Sequence, residues 1–144
     1  MSMKAILNLG VNLLFLTGGV PAFGQSPAYR TSICNLAENG TSMNGKLVRL
    51  KARLITDFRH GMGITDNACP AVGFRRGLDD SAHLDVSVAH FDKELRKDTR
   101  LYRGKLIQLE MSGIFSWHEG DRENPPYGEI HFSRVWQFEK LPAR

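Results

Sequence analysis

From Lys46 onward the apolar positions recur at every second residue. Val48, Leu50, Ala52 and Leu54 fall on one side, and Arg49, Lys51 and Arg53 on the other. This alternation predicts a long strand with one buried face and one basic face. His60-Gly61 interrupts it, Met62 to Asp66 predicts a short second strand, and Asn67 to Pro70 forms a turn carrying Cys69. Ala71 to Arg75 is another apolar run. Leu84, Val86 and Val88 then alternate with His83, Asp85 and Ser87, again the pattern of a strand. Next the period changes. Val88, Phe91 and Leu95 stand at i, i+3 and i+7, which predicts a helix over Ala89 to Arg100. Its acids come early (Asp92, Glu94) and its bases late (Arg96, Lys97, Arg100), the order that the helix dipole favours.

Gly104 to Phe115 predicts a strong strand, with Ile107, Leu109, Met111 and Phe115 inward and Gly113 as a bulge or bend. The last strand is expected over Glu129 to Glu139. There Ile130, Phe132, Trp136 and Phe138 share one parity, interrupted by Arg134, and the three aromatics are assigned to the core. Ahead of all these, Thr31 to Ala37 predicts a short helix capped by Thr31 or Ser32 and stopped at Asn39-Gly40, with Asn44-Gly45 as a turn. Three strands, one helix and two closing strands is the order of an OB-type barrel. The expected class is therefore all-β with one or two short helices. The alternative is an α+β antiparallel sheet packed on one helix.

Lys4 is the only charge before a long apolar stretch, Ala5 to Val20, and Ala22-Phe23-Gly24 puts small residues before Gln25. This is the pattern of a secretory signal peptide over residues 1–24, with Ala28 as a second possible cut point. The cleanest apolar run, Leu13 to Val20, is short for a membrane span. A flexible leader over 25–31 and one domain over 32–141 are expected after it. Of the 144 residues, 19 are basic and 15 acidic, and removing the segment takes only Lys4 from that balance. So mild a charge does not mark a nucleic-acid binder, although it leaves anionic partners open. Two cysteines, Cys34 and Cys69, in an exported chain predict one intramolecular disulfide. No CxxC spacing supports a metal site instead.

The stretches "SICNLAENGTSMNGKLVRLKARL", "DNACP", "GKLIQLEMSGIFSW" and "PPYGEIHFSRVWQFE" resemble a group of uncharacterised, exported bacterial OB-like domains. The resemblance spans roughly Ser32 to Leu141, with Ala52 and Arg53 where such domains commonly carry a glycine. It implies the OB-like fold, a Cys34–Cys69 bridge and an extracytoplasmic home. It implies no activity.

The densest polar cluster is "WHEGDRENPPYG", Trp117 to Gly128. His118 with Glu119, Asp121 or Glu123, joined by His131, offers donors for a divalent metal. The helical HExxH spacing and the calcium-loop pattern are both missing, so no metal ligands and no cofactor are assigned. Asn124 to Gly128 reads as a stiff turn, with the prolines fixing φ and Gly128 taking a positive value. Asp57, Asp66, Glu110, Arg59 and Arg75 are the residues from which a metal-dependent phosphodiesterase could be assembled. No serine elbow or glycine-rich phosphate loop is present. Arg49, Lys51 and Arg53 are read as an exposed sheet face in preference to a phosphate track. Phe58 and Phe74 suit a core or a groove equally.

The expected function is a non-enzymatic binding or accessory module of the cell envelope, secreted or periplasmic. Its expected partner is an anionic polymer (glycan or nucleic acid) or an envelope protein. The expected ligand site joins the open face of the second and third strands to the loop between the last two: Arg59, His60, Phe74, Arg75, Trp117, His118 and Tyr127. A metal-dependent nuclease-like hydrolase on the same barrel is the alternative.

Overall fold

The computed structural model describes residues 27–56, 61–77, 85–97 and 105–141. In chain order these form β1 (Tyr29–Arg30), α1 (Ile33–Glu38), α2 (Gly40–Met43), β2 (Leu47–Thr56), β3 (Met62–Thr65), β4 (Gly73–Arg76), α3 (Val86–Arg96), β5 (Lys105–His118) and β6 (Tyr127–Lys140). The expected Arg59 and His60 lie outside the described residues, as do Asp57 and Phe58.

The alternation on β2 is realised without a break: Val48, Leu50, Ala52 and Leu54 are all buried. One edge of β2 pairs antiparallel with β5 along its whole length, from Leu47 opposite Ile114 to Thr56 opposite Lys105. The other edge is shared. β1 runs parallel to it at Val48 and Arg49, and β3 antiparallel to it from Arg53 to Thr56. Thus part of the expected flexible leader is a strand. β3 pairs with β4, β4 runs parallel to β6, and β6 pairs antiparallel with β5, which returns to β2. The circuit β2-β3-β4-β6-β5 closes into a five-stranded mixed barrel of OB-like kind, as the element order predicts. Closure pairs the strand edges that an open sheet would leave bare.

α1 and α3 supply apolar side chains that the strands alone do not. Ser32 caps α1, its hydroxyl accepting the Asn35 N–H at 3.2 Å. Ile33 and Leu36 are fully buried. The Cys34–Cys69 disulfide ties this helix to the turn after β3, with the Cα atoms 5.7 Å apart. On α3 the stripe Val88, Phe91 and Leu95 is buried. Phe91 meets Phe138 edge-on at 5.0 Å between centroids. Burying one such ring contributes about 1.5–3 kcal/mol. Arg76 on β4 reaches across to α3 and forms a two-pronged pair with Asp92, at 2.5 and 2.9 Å. Its guanidinium also lies 4.6 Å from the Phe132 ring centroid.

Three expectations are corrected. The strand expected over Leu84 to Val88 is not formed at its described end, where Val86 to Val88 make the first turn of α3. The Asp85 carboxylate accepts the Ser87 N–H at 2.9 Å, so a helix cap overrides a period-two pattern only three apolar residues long. Gly128 is not the positive-φ residue of a turn. Among the described glycines only Gly45 and Gly61 have positive φ, and Gly128 belongs to β6. A Cβ at Gly128 would stand 2.6 Å from the Phe74 ring and 2.8 Å from Phe115, so close packing requires this glycine.

Trp136 is the third correction: it is 45% exposed, while Val135 beside it is buried. The β5–β6 register explains this. Glu110 faces Gln137 but Met111 faces Val135, and Ser112 faces Arg134 but Gly113 faces Phe132. β6 therefore carries two extra residues, Trp136 and Ser133, each a β-bulge that reverses the parity of the residues beyond it. The bulge at Gly113 is as expected, and a Cβ there would stand 2.3 Å from the His131 carbonyl oxygen. The N-terminus of α3 docks on the bulged segment: the Ser87 hydroxyl accepts the Val135 N–H at 2.9 Å.

Asp85 joins these parts. It caps α3, accepts from the Ser87 hydroxyl and faces Arg134 at 3.3 Å. The Ser87 hydroxyl and N–H, then Arg134, hold its carboxyl below the usual aspartate value. Because the folded value is depressed, the stabilisation is complete above the ordinary value of about 3.9 and is lost as pH falls through the lowered one. Asp85→Ala is expected to lower stability by about 1 kcal/mol at neutral pH. In urea melts the difference from the parent chain should narrow below about pH 4.

Candidate functional site

The expected site residues divide among three environments. Phe74 is core: it is 3% exposed and packs on Phe115 at 5.4 Å between centroids. Alternation along β4 then sends Arg75 outward, and the same rule on β6 sends Tyr127, Glu129 and His131 to that side, with Gly128 and Ile130 inward. β4 and β6 are in register there, Arg75 beside Glu129. His118, the last residue of β5, faces Tyr127 across the strand pair.

These side chains form one stack on the barrel's outer surface. The Arg75 guanidinium lies 4.5 Å from the Tyr127 ring centroid. The rings of Tyr127 and His118 are nearly parallel, 13° apart at 4.4 Å. Glu129 Oε2 stands 3.4 Å from His118 Nε2 and 3.4 Å from His131 Nε2. The His118 Nε2 atom is shielded from solvent and lacks a hydrogen bond among the described residues. His131 packs its ring where a Cβ on Gly77 would fall, 2.4 Å away. Arg75 forms no ion pair with a described residue, and its charge is presented over an aromatic face.

Trp117 points elsewhere. It lies against Gly40 at the junction of α1 and α2, where an added Cβ would stand 2.4 Å from the indole. There it lines a groove of about 360 Å³ with Glu38, Asn39, Thr41, Ser42 and Glu119. The Thr41 hydroxyl donates to Glu119 at 2.7 Å, and the Trp117 backbone N–H to Asn44 Oδ1 at 2.8 Å.

Asp121, Glu110 and Asp66, read as metal or catalytic candidates, are engaged in structural contacts. Asp121 accepts the N–H groups of Glu123 and Asn124, both at 2.8 Å, and these bonds hold its carboxyl below the usual range. Glu110 pairs with Arg49 at 2.7 Å, and Asp66 accepts the Ala68 N–H. Among the described residues no three histidine, cysteine or acidic side chains are arranged to hold a metal ion. The partner that sequence reasoning missed is Glu129. Its signal was present, as Tyr127, Glu129 and His131 are alternate residues of one strand.

No family model, curated protein or solved structure matches the chain.

The Gly40–Trp117 contact can be checked directly. Gly40→Ala is expected to push the indole off the helix junction and red-shift tryptophan emission. It should also cost about 1–3 kcal/mol of stability through overpacking. Trp136→Phe supplies the background in which Trp117 is the single reporter, because the chain has two tryptophans.

Proposed function

We propose that this protein is an exported, non-enzymatic binding module of the cell envelope, secreted or periplasmic. Its ligand site is the outer surface where β4, β6 and the end of β5 meet. One observation carries the reading: Arg75 is stacked 4.5 Å over Tyr127 and forms no ion pair with a described residue, the neighbouring Glu129 standing against His118 and His131. Such a group, with Tyr127 and His118 as a planar wall, suits a small organic anion with a flat face. Export is supported by the signal-peptide pattern of residues 1–24 and by the Cys34–Cys69 bridge, which is at home in an oxidising compartment.

The exported chain, screened by thermal shift against phosphate esters, dicarboxylates and nucleotides, is expected to be stabilised by at least one of them. Arg75→Ala should weaken that binding at least about ten-fold, and raising salt should weaken it in the parent chain. A panel with no stabilising anion, or stabilisation that survives Arg75→Ala, overturns the site. Intact mass of material recovered outside the cytoplasm should begin at Gln25, and material that retains Met1 to Gly24 would count against export.

A further inference from the structure

The bulge at Trp136 places a large aromatic on a surface that alternation alone would have given to polar residues. Both residues of a bulge face the same side here, so Trp136 and Gln137 stand together on the outer face, opposite Glu110. The neighbouring outward positions of β2 and β5 are Arg49, Lys51, Arg53, Gln108 and Glu110. Arg49 lies 4.0 Å from the Trp136 ring centroid and Arg134 5.1 Å from it. Arg49 is committed to Glu110 and Arg134 to Asp85. That leaves Lys51 and Arg53 as cations with no ion pair among the described residues. They are alternate residues of one strand, about 7 Å apart by the rise of a β-strand. Beside them lies a groove of about 240 Å³ lined by Lys51, Gln108, Gln137 and Glu139, with Leu109 and Phe138 beneath.

We propose that this face binds an acidic polysaccharide. Two side-chain amides, an ammonium and a carboxylate converging on one groove offer donors and acceptors for the adjacent hydroxyl groups of a sugar. Lys51 and Arg53 supply charge for carboxylates along a polyuronate chain. A single-stranded nucleic acid would instead need an open aromatic face on which a base could stack, and here the exposed indole is attended by two guanidinium groups. Trp136, beside the groove residue Gln137, is stacked against Arg49. The site shares no residue with the Arg75 surface and stands or falls separately from it.

The exported chain carrying Trp117→Phe keeps Trp136 as its single tryptophan and provides the readout. It is titrated with polygalacturonate oligomers, neutral dextran and oligodeoxythymidylate. Polygalacturonate is expected to give a saturable change in Trp136 emission that weakens with added salt. Lys51→Ala/Arg53→Ala should reduce its affinity at least ten-fold, and Arg122→Ala, at an exposed cation of the β5–β6 connection, should leave it unchanged. Lys51→Gln, at an exposed position, should by itself reduce affinity measurably in a chain with unchanged circular dichroism. No saturable response to polygalacturonate, or affinity that survives both Lys51→Gln and the double variant, overturns the proposal. So does dextran or oligodeoxythymidylate binding as tightly as polygalacturonate.

Discussion

β6 must satisfy two partners at once: β5 antiparallel along one edge and β4 parallel along the other. A straight, regular strand of fourteen residues could not both follow β5 and turn back to close the barrel. The two extra residues in β6, Ser133 and Trp136, supply the curvature, because each bulge bends its strand and increases its twist. Glycine at 113 permits the close approach that the first bulge demands. The surface chemistry is a consequence of this constraint. Phe132 and Val135 go inward three residues apart, and Trp136 is left outside among arginines.

Polar groups inside and around the barrel fall into two kinds. Some are fully engaged: Arg76 with Asp92, Arg49 with Glu110, Asp85 with Ser87 and Arg134, and Asp121 with its own loop. These fix α3 to the barrel and hold the β5–β6 connection closed, and their charges are not available to a ligand at no cost. Others stand at the surface without a described ionic partner, namely Arg75, Lys51 and Arg53. The first is stacked over Tyr127, and Lys51 lines a polar groove, with Arg53 two residues along the same strand. A cation positioned as Arg75 is gains more from an incoming anion than a mobile surface charge does.

The polar stretch from Trp117 to Phe132 shows how local reading and tertiary placement part company. Read as a string, it carries two histidines and four acids, with Glu129 and His131 already in the expected last strand. In the fold half of it is strand, Trp117–His118 of β5 and Tyr127–Phe132 of β6, with residues 119–126 connecting them. Trp117 and His118 are consecutive on β5, so their side chains leave on opposite faces, one toward the helix junction and one toward Tyr127. A site drawn from neighbours in sequence could not hold both. Glu129 joins the cluster because strand register, not proximity in the chain, sets what it meets.

β1 and α2 cannot be read from the chain by itself. Five barrel strands, α1 and α3 can be read from it in order, together with the buried face of β2, the helical stripe Val88–Phe91–Leu95, the Cys34–Cys69 pair and the closing strands of an OB-like barrel. These depend on periodicity and residue chemistry, which act over a few neighbours and survive any packing that respects them. Tertiary structure decided what periodicity cannot carry. The parity of Trp136 depends on bulges created by closing the circuit, and the role of Gly128 depends on two phenylalanines from other strands. The separation of Phe74 from Arg75, and of Trp117 from His118, depends on which face of each strand meets the core. Register and closure are long-range constraints. A chain read one residue at a time states them only once its strands have been brought together.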